Sequence, residues 1–189
     1  MHIRTIGLIL LAASAWGAEY TIDSAHSAAG FGARHMMVTN VRGRFSNVTG
    51  KISYDPKNPA AAKVEATIDA TTVDTQQAKR DAHLKSPDFF DVAKYPTMTF
   101  KSTKWAKAGG KLRITGDLTI HGVTKSVTLD VEGPPPEVKG PGGITIGASA
   151  ATKINRKDFG LIWSKLMDTG GAVVGDEITI TLDIEATRN

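Results

Sequence analysis

The chain has 189 residues, of which 41% are hydrophobic and 6% aromatic, and its formal net charge is +4 at pH 7. This length suits one domain with a short appendage, and the composition is that of an ordinary globular protein with a core. The basic residues are spread along the chain, so nucleic acid is not an expected partner. There is no cysteine, which excludes disulfides and leaves only histidine and carboxylate ligands for any metal.

The first segment, residues 1–18, has the pattern of a secretory signal peptide. Arg4 supplies a basic start, residues 6–13 form a short apolar run, and small residues follow. The run is too short to span a bilayer as a helix, and a buried N-terminal helix is the alternative. We expect cleavage near residues 15–18, export to the periplasm, and a mature domain over residues 19–189 without a membrane span.

Alternation of apolar and polar residues with a period of two predicts most of the remaining structure. Strands are expected near 20–34, 50–54, 63–70, 97–101, 112–121, 126–131, 144–154 and 177–185. One helix is expected at 76–84, capped by Asp74 or Thr75 and ended by Pro87. Turn signals such as His121-Gly122 favour antiparallel hairpins. The predicted fold class is all-β: about eight antiparallel strands in a barrel or sandwich, with one short α-helix in a crossover.

An eight-stranded barrel encloses either packed side chains or one small ligand. Its predicted inward rows mix bulky residues with small ones, and small residues cannot fill a lumen alone. Loops and the helix could plug the space, an apolar ligand could occupy it, or the core could simply be packed. The outward rows carry charges such as Lys63 and Asp117, the reverse of a membrane-spanning barrel. The small inward residues are Gly50, Ala66, Ala70, Gly116, Ala148 and Ala150.

Signals for catalysis and metal binding are weak. Ser24 and Ser27 flank His26, but the chain has no nucleophile-elbow motif. The histidines lie far apart and show no metal-ligand spacing. Arg156 and Asp158 are interpreted as an ion pair that fixes a turn. We therefore predict no enzyme activity, no cofactor and no metal.

Three connections carry apolar bulk that has to be buried somewhere. They are HMMVTNVRG, SPDFFDV and DFGLIWSKLM, and the first sets two flexible methionines between basic residues. We expect these segments over a barrel end or inside the lumen, as a plug or as a wall that touches a ligand. Their main apolar side chains are Met36, Met37, Phe89, Phe90, Phe159 and Trp163.

The same segments resemble the YceI-like family of exported polyisoprenoid-binding proteins. The matching stretches, in the family's order, are SAHS, RHMMVTNVRGRF, RDAHLKSPDFFDVAKYPTMTF, GDLTIHGVTKSV, NRKDFG and VVGDEITITLDIEA. The resemblance implies a lipocalin-like antiparallel β-barrel whose tunnel holds a polyisoprenoid or another amphiphilic lipid, with the lipid head near the barrel mouth. It also makes a homodimer an alternative to a monomer.

The expected function is binding of a long-chain isoprenoid or similar amphiphilic lipid, as a carrier or store. A lipid-modifying enzyme with the same cavity and a filled-barrel stress or structural module are the alternatives. Arg34, His35 and Arg42 are predicted head-group donors at the mouth, because charged donors suit a group such as a diphosphate. The full set of predicted ligand-binding residues is Phe31, Arg34, His35, Met36, Met37, Arg42, Phe45, Ile68, Phe89, Phe90, Met98, Phe100, Leu118, Ile120, Phe159 and Trp163.

Overall fold

The computed structural model describes residues 17–109, 111–133, 137–140, 142–166 and 173–188. The predicted signal segment lies outside the described residues except for its last two positions. Within these ranges, one α-helix, α1 (Ala78–Lys85), accompanies the strands. The strands are β1 (Ala18–Ile22), β2 (Ala28–His35), β3 (Thr39–Phe45), β4 (Val48–Tyr54), β5 (Lys63–Asp69), β6 (Thr97–Ala108), β7 (Lys111–Ile120), β8 (Val123–Glu132), β9 (Val138–Gly140), β10 (Gly143–Asn155) and β11 (Val174–Arg188).

The strands form a closed antiparallel barrel with eight strand positions. β11 pairs with β1 on one edge and with β10 on the other, which closes the circle β11-β1-β4-β5-β6-β7-β8-β10. β2 continues along β11 beyond β1, β3 pairs with β2, and the short β9 pairs with β10. The predicted all-β barrel is confirmed, and the sandwich alternative is wrong.

The alternation in the sequence decides which face of each strand points inward. Along β7, Ile114 and Leu118 are buried, whereas Arg113 and Asp117 between and beside them are exposed. Successive side chains of a strand point to opposite faces, so every second residue enters the core. Burial of one such side chain is worth about 1.5–3 kcal/mol, and this gain holds the strand in its register.

The crossover between β5 and β6 carries α1. Gln76 has a positive φ of 61°, which is not a helical conformation. The helix therefore begins at Ala78, and Gln77 is its N-cap. The Gln77 side chain accepts a hydrogen bond from the Arg80 N–H at 2.6 Å. The predicted caps Asp74 and Thr75 are therefore wrong. The helix ends at Lys85, before Pro87, because proline at that position cannot supply the next helical N–H.

Two ends of the barrel are distinguished below. The helix end carries α1, residues 86–96, the β2–β3 hairpin and residues 156–163. The opposite end carries the β4–β5 connection and β9. The predicted hairpin at His121-Gly122 joins β7 to β8 at the helix end, and both residues have positive φ.

Across the described ranges, no helix combines the length and the apolar character that a membrane crossing requires.

Candidate functional site

The barrel encloses a cavity of about 230 Å³. Ten of the eleven described strands contribute to its wall, together with Leu84 of α1 and the loop that follows α1. The inward residues of β10 and β11 form one side, where Ala148 and Ala150 lie beside Leu182 and Ile184. These side chains keep partial exposure although they point inward, because the cavity reaches them.

The cavity wall is almost entirely apolar. Its polar side chains are Tyr54, Trp105, Thr152 and Arg156. The ring of Trp105 lies 6.4 Å from that of Tyr54, and its Nε1 is buried without a hydrogen-bond partner among the described residues. Burial is the first cause that raises the pKa of Tyr54. A wall of this kind suits an apolar chain, because an ion would lose its hydration without compensation.

Three of the six small inward residues leave room for the cavity, namely Ala66, Ala148 and Ala150. Gly116 instead makes room for a ring, since a Cβ there would lie 2.5 Å from Cζ of Phe100. Gly50 lies against the neighbouring strand, where a Cβ would be 2.1 Å from the Glu65 carbonyl oxygen.

Aromatic rings pack together at the helix end of the barrel. Phe89 packs against His83 and Trp163, with ring centroids 5.0 and 5.3 Å away. Phe90 packs edge-on against Phe45 at 5.4 Å. Both phenylalanines of the SPDFFDV loop also line the cavity. Each ring thus belongs both to the packing at the helix end and to the cavity wall, and its contact with a ligand stays a prediction.

Arg156 is buried at this end and ties two segments together. Its Nη1 donates to the carbonyl oxygens of Leu161 and Trp163 at 2.5 and 2.7 Å. Nε donates to the Gly175 carbonyl oxygen at 3.0 Å, and Nη2 forms an ion pair with Asp176 at 2.9 Å. The ion pair with Asp158 expected from the sequence is wrong, because β11 brings Asp176 to the guanidinium.

Asp176 also accepts a hydrogen bond from Lys157 Nζ at 2.8 Å. This hydrogen bond is the first cause that lowers the pKa of Asp176, and the charges of Lys157 and Arg156 lower it further. Segment 156–163 is thus fixed to the start of β11 by charge-assisted bonds. The Arg156 guanidinium stabilises this end of the wall. Its N–H groups donate to backbone carbonyl oxygens and to Asp176.

A hydrogen-bonded group closes the opposite end. The buried Tyr20 donates its hydroxyl hydrogen to the Glu137 carboxylate and accepts a hydrogen bond from Arg188 Nε at 3.1 Å. Burial is the main cause that raises the pKa of Tyr20. These three residues are far apart in sequence, and no sequence motif pointed to them.

One group at the surface has three side chains with potential metal-ligating atoms. His26 Nδ1 lies 2.8 Å from Asp23 Oδ2 and 3.9 Å from Glu185 Oε1. The hydrogen bond to Asp23 is the first cause that raises the pKa of His26. Asp23 and His26 lie in the β1–β2 connection and Glu185 lies on β11. The ion pair between His26 and Asp23 is sufficient to explain why these side chains lie together.

Ten of the sixteen predicted site residues line the cavity. Trp163 packs on Phe89 just behind the wall. The other five lie on the β2–β3 hairpin, outside the cavity wall: Arg34, His35, Met36, Met37 and Arg42. Contacts of all sixteen residues with a ligand stay predictions. The ten wall residues are Phe31, Phe45, Ile68, Phe89, Phe90, Met98, Phe100, Leu118, Ile120 and Phe159.

The predicted set missed several wall residues, of which Trp105 is the largest. β6 contains a bulge between Ser102 and Lys104, which shifts the alternation by one residue. Continuing the pattern of Met98 and Phe100 would have placed Lys104 inward and Trp105 outward. A charged lysine is unfavourable inside an apolar barrel. Lys104 was therefore the one residue in the sequence that indicated a change of alternation at this point.

Comparisons with known proteins agree on one family. A family model for the YceI-like domain matches residues 20–186. Protein YceI of Escherichia coli O157:H7 is 41% identical over 187 residues, which cover 96% of this chain and 93% of that protein. The crystal structure of Burkholderia cenocepacia BcnA has a TM-score of 0.75 and 28% identity, over 88% of this chain and 99% of that one.

A more distant structure shares the fold. It is a polyisoprenoid binding domain from Saccharophagus degradans, implicated in plant cell wall breakdown. Its TM-score is 0.66, and the match covers 90% of this chain and 98% of that one. At 16% identity this likeness concerns the fold alone.

Proposed function

This chain belongs to the YceI-like family, and from that premise and its apolar cavity we propose that it binds a long-chain isoprenoid or similar amphiphilic lipid inside the barrel. The observation that carries the proposal is the wall itself, which is apolar along ten strands. Each methylene group transferred from water to such a wall gains about 0.8 kcal/mol, so a chain needs few polar contacts for affinity. The polyisoprenoid-binding domain from Saccharophagus degradans has the same fold.

The bound chain would lie along β10 and β11, where the wall combines small and branched residues. Ala148 and Ala150 leave room, and Leu182 and Ile184 supply apolar contact beside them on the neighbouring strand. A polar head would project from the barrel instead of entering this wall, because burial of an unpaired polar group costs free energy. Arg34, His35 and Arg42 are the proposed partners of a head that projects at the helix end.

The role that follows is that of a carrier or store. A catalytic role would need a base and a nucleophile or metal that converge on the bound lipid. Among the described residues, the one charged side chain on the wall is Arg156, and its guanidinium donates to backbone carbonyls and Asp176. Binding without catalysis is the function that this wall supports best.

The location proposed for this role is the periplasm. Residues 1–18 have the basic start, apolar run and small residues of a cleavable signal peptide. Cell fractionation and N-terminal sequencing of the mature protein would test this. A mature chain that retains Met1 in the cytoplasmic fraction would refute export without bearing on lipid binding.

Native mass spectrometry of the purified protein tests the binding proposal directly. We expect a mass adduct that disappears after extraction with organic solvent, with the lipid recovered in the extract. A protein without adduct that also takes up no fluorescent prenyl or fatty-acyl probe would support the filled-barrel module. Appearance of a modified lipid during incubation would support the enzyme.

A further inference from the structure

Large exposed apolar side chains are concentrated at the helix end. The described residues contain six of them, and Val138, at 60% exposure, is the one at the opposite end. Single exposed apolar residues are normal, whereas a contiguous group marks an interaction site. The other five, which we call the apolar rim, are Met36, Met37, Val38, Ile162 and Leu166.

Backbone hydrogen bonds bring the two parts of the apolar rim side by side. The Met36 N–H donates to the Val173 carbonyl oxygen at 2.9 Å. The Val173 N–H donates in turn to the Lys165 carbonyl oxygen at 2.8 Å. The tip of the β2–β3 hairpin and the segment before Leu166 are therefore neighbours, although more than 120 residues separate them in sequence.

The tip of the β2–β3 hairpin has two methionines at turn positions that normally favour asparagine or glycine. The Val38 N–H donates to the His35 carbonyl oxygen at 3.0 Å, and the central residues Met36 and Met37 have φ of 51° and 58°. Asn-Gly is the preferred pair for positive φ at both positions, and other side chains are strained there. Residues that go against the local preference are expected at functional sites, and methionine adapts well to irregular apolar partners.

The apolar rim is accompanied by positive charge. Arg34, Arg42 and Lys165 are exposed, and within the described ranges no carboxylate forms an ion pair with them. Arg34 donates instead to the Met37 carbonyl oxygen at 2.8 Å, which holds its charge at the tip. Exposed apolar side chains beside basic ones are typical of protein surfaces that bind anionic membranes.

The apolar rim also lies next to segments that line the cavity. Phe31 and Ala33 line the cavity and lie on β2, the strand that leads to the tip. Val174 also lines the cavity, and it follows Val173, the residue that links the hairpin tip to Lys165. We propose that the apolar rim docks the protein on an anionic lipid bilayer, where the cavity can take up or release its ligand. This inference rests on the proposed lipid binding.

Vesicle flotation tests the docking, with ligand-free protein and vesicles of phosphatidylcholine containing about three parts in ten phosphatidylglycerol. We expect the protein to float with these vesicles and to bind phosphatidylcholine alone roughly tenfold more weakly. Met36→Asn/Met37→Gly suits the turn and removes its apolar side chains, so binding should fall at least about tenfold without unfolding. The control is Val138→Glu, which removes an exposed apolar side chain and adds a negative charge at the opposite end; it should bind as the unaltered protein does.

Separate measurements distinguish this proposal from the function on which it rests. Ile162→Glu/Leu166→Glu should lose vesicle binding yet take up a fluorescent prenyl probe added from ethanol. If the unaltered protein floats with vesicles but takes up no probe, docking stands and lipid binding fails. Absence of flotation, or an equal loss in Val138→Glu, would overturn docking. So would light scattering that finds a dimer which the apolar-rim variants dissociate, because a second copy would then cover the rim.

Discussion

Replacement of Ala150 by phenylalanine places a ring inside the cavity. Ala150 lies on β10 between Val131 and Leu182, and its side chain is on the wall. A cavity of about 150 Å³ can hold one benzene ring, so a phenyl group would take up a large part of the 230 Å³ available here. A bound chain would lose the space of several methylene groups.

The expected loss of affinity follows from the displaced chain. Exclusion of about four methylene groups at about 0.8 kcal/mol each removes about 3 kcal/mol of binding free energy. The dissociation constant of a prenyl probe should therefore rise by about two orders of magnitude. Fluorescence titration with a prenyl probe measures this change, and thermal unfolding verifies that the variant is folded.

Ala151→Phe is the matched control, since Ala151 is the next residue of β10 and is exposed on the outer face. Its probe affinity should match that of the unaltered protein. Unchanged affinity in Ala150→Phe would refute the cavity as the binding site. An equal loss in both variants would place the effect on β10 as a whole instead of on the lumen.

Three further changes test the helix end. Arg156→Ala should lower the free energy of unfolding by about 2–3 kcal/mol, because Asp176 and four carbonyl oxygens lose a buried partner; a loss below about 1 kcal/mol in urea titration would contradict this role. The pKa of Asp176 is lowered on folding, so its stabilisation is present above the ordinary aspartate pKa of about 3.9 and is lost as pH falls below it. Between about pH 6 and about pH 3 the stability difference between the unaltered protein and Asp176→Asn should therefore shrink, and a constant difference would exclude this carboxylate. Phe89→Ala should cost about 3–5 kcal/mol in chemical denaturation, since its ring is buried against His83 and Trp163; a loss under about 1 kcal/mol would mean that this packing does not stabilise the helix end.

Local alternation was sufficient for most of the strands and their inward faces, whereas the choice of a barrel over a sandwich needed the pairing of β11 with β10. The predicted strands at 112–121 and 177–185 correspond to β7 and to part of β11, with the expected faces inward. This works because the alternation of side chains between two faces is a property of each strand, whatever it pairs with. The bulge in β6 is the exception, since one extra residue moves Trp105 to the inner face.

The sequence predicted the cavity and its polar contacts less well than the strands. Gly116 and Ala150 are both small inward residues, yet the ring of Phe100 takes the space at one and the cavity takes it at the other. The sequence also paired Arg156 with the nearby Asp158, whereas the folded chain brings Asp176 to it. In each case the partner comes from another strand, so the spacing of residues along the chain carries no record of it.

The sequence by itself determined the strand pattern, the helix in the crossover and the family, because periodicity and motifs are local properties of the chain. Only the tertiary structure decided where the cavity lies, which side chains fill the barrel ends, and that the Met36-Met37 turn lies beside residues 162–166. The physical reason is that a cavity is the volume left after all strands have packed. That volume depends on how side chains from distant positions fit together.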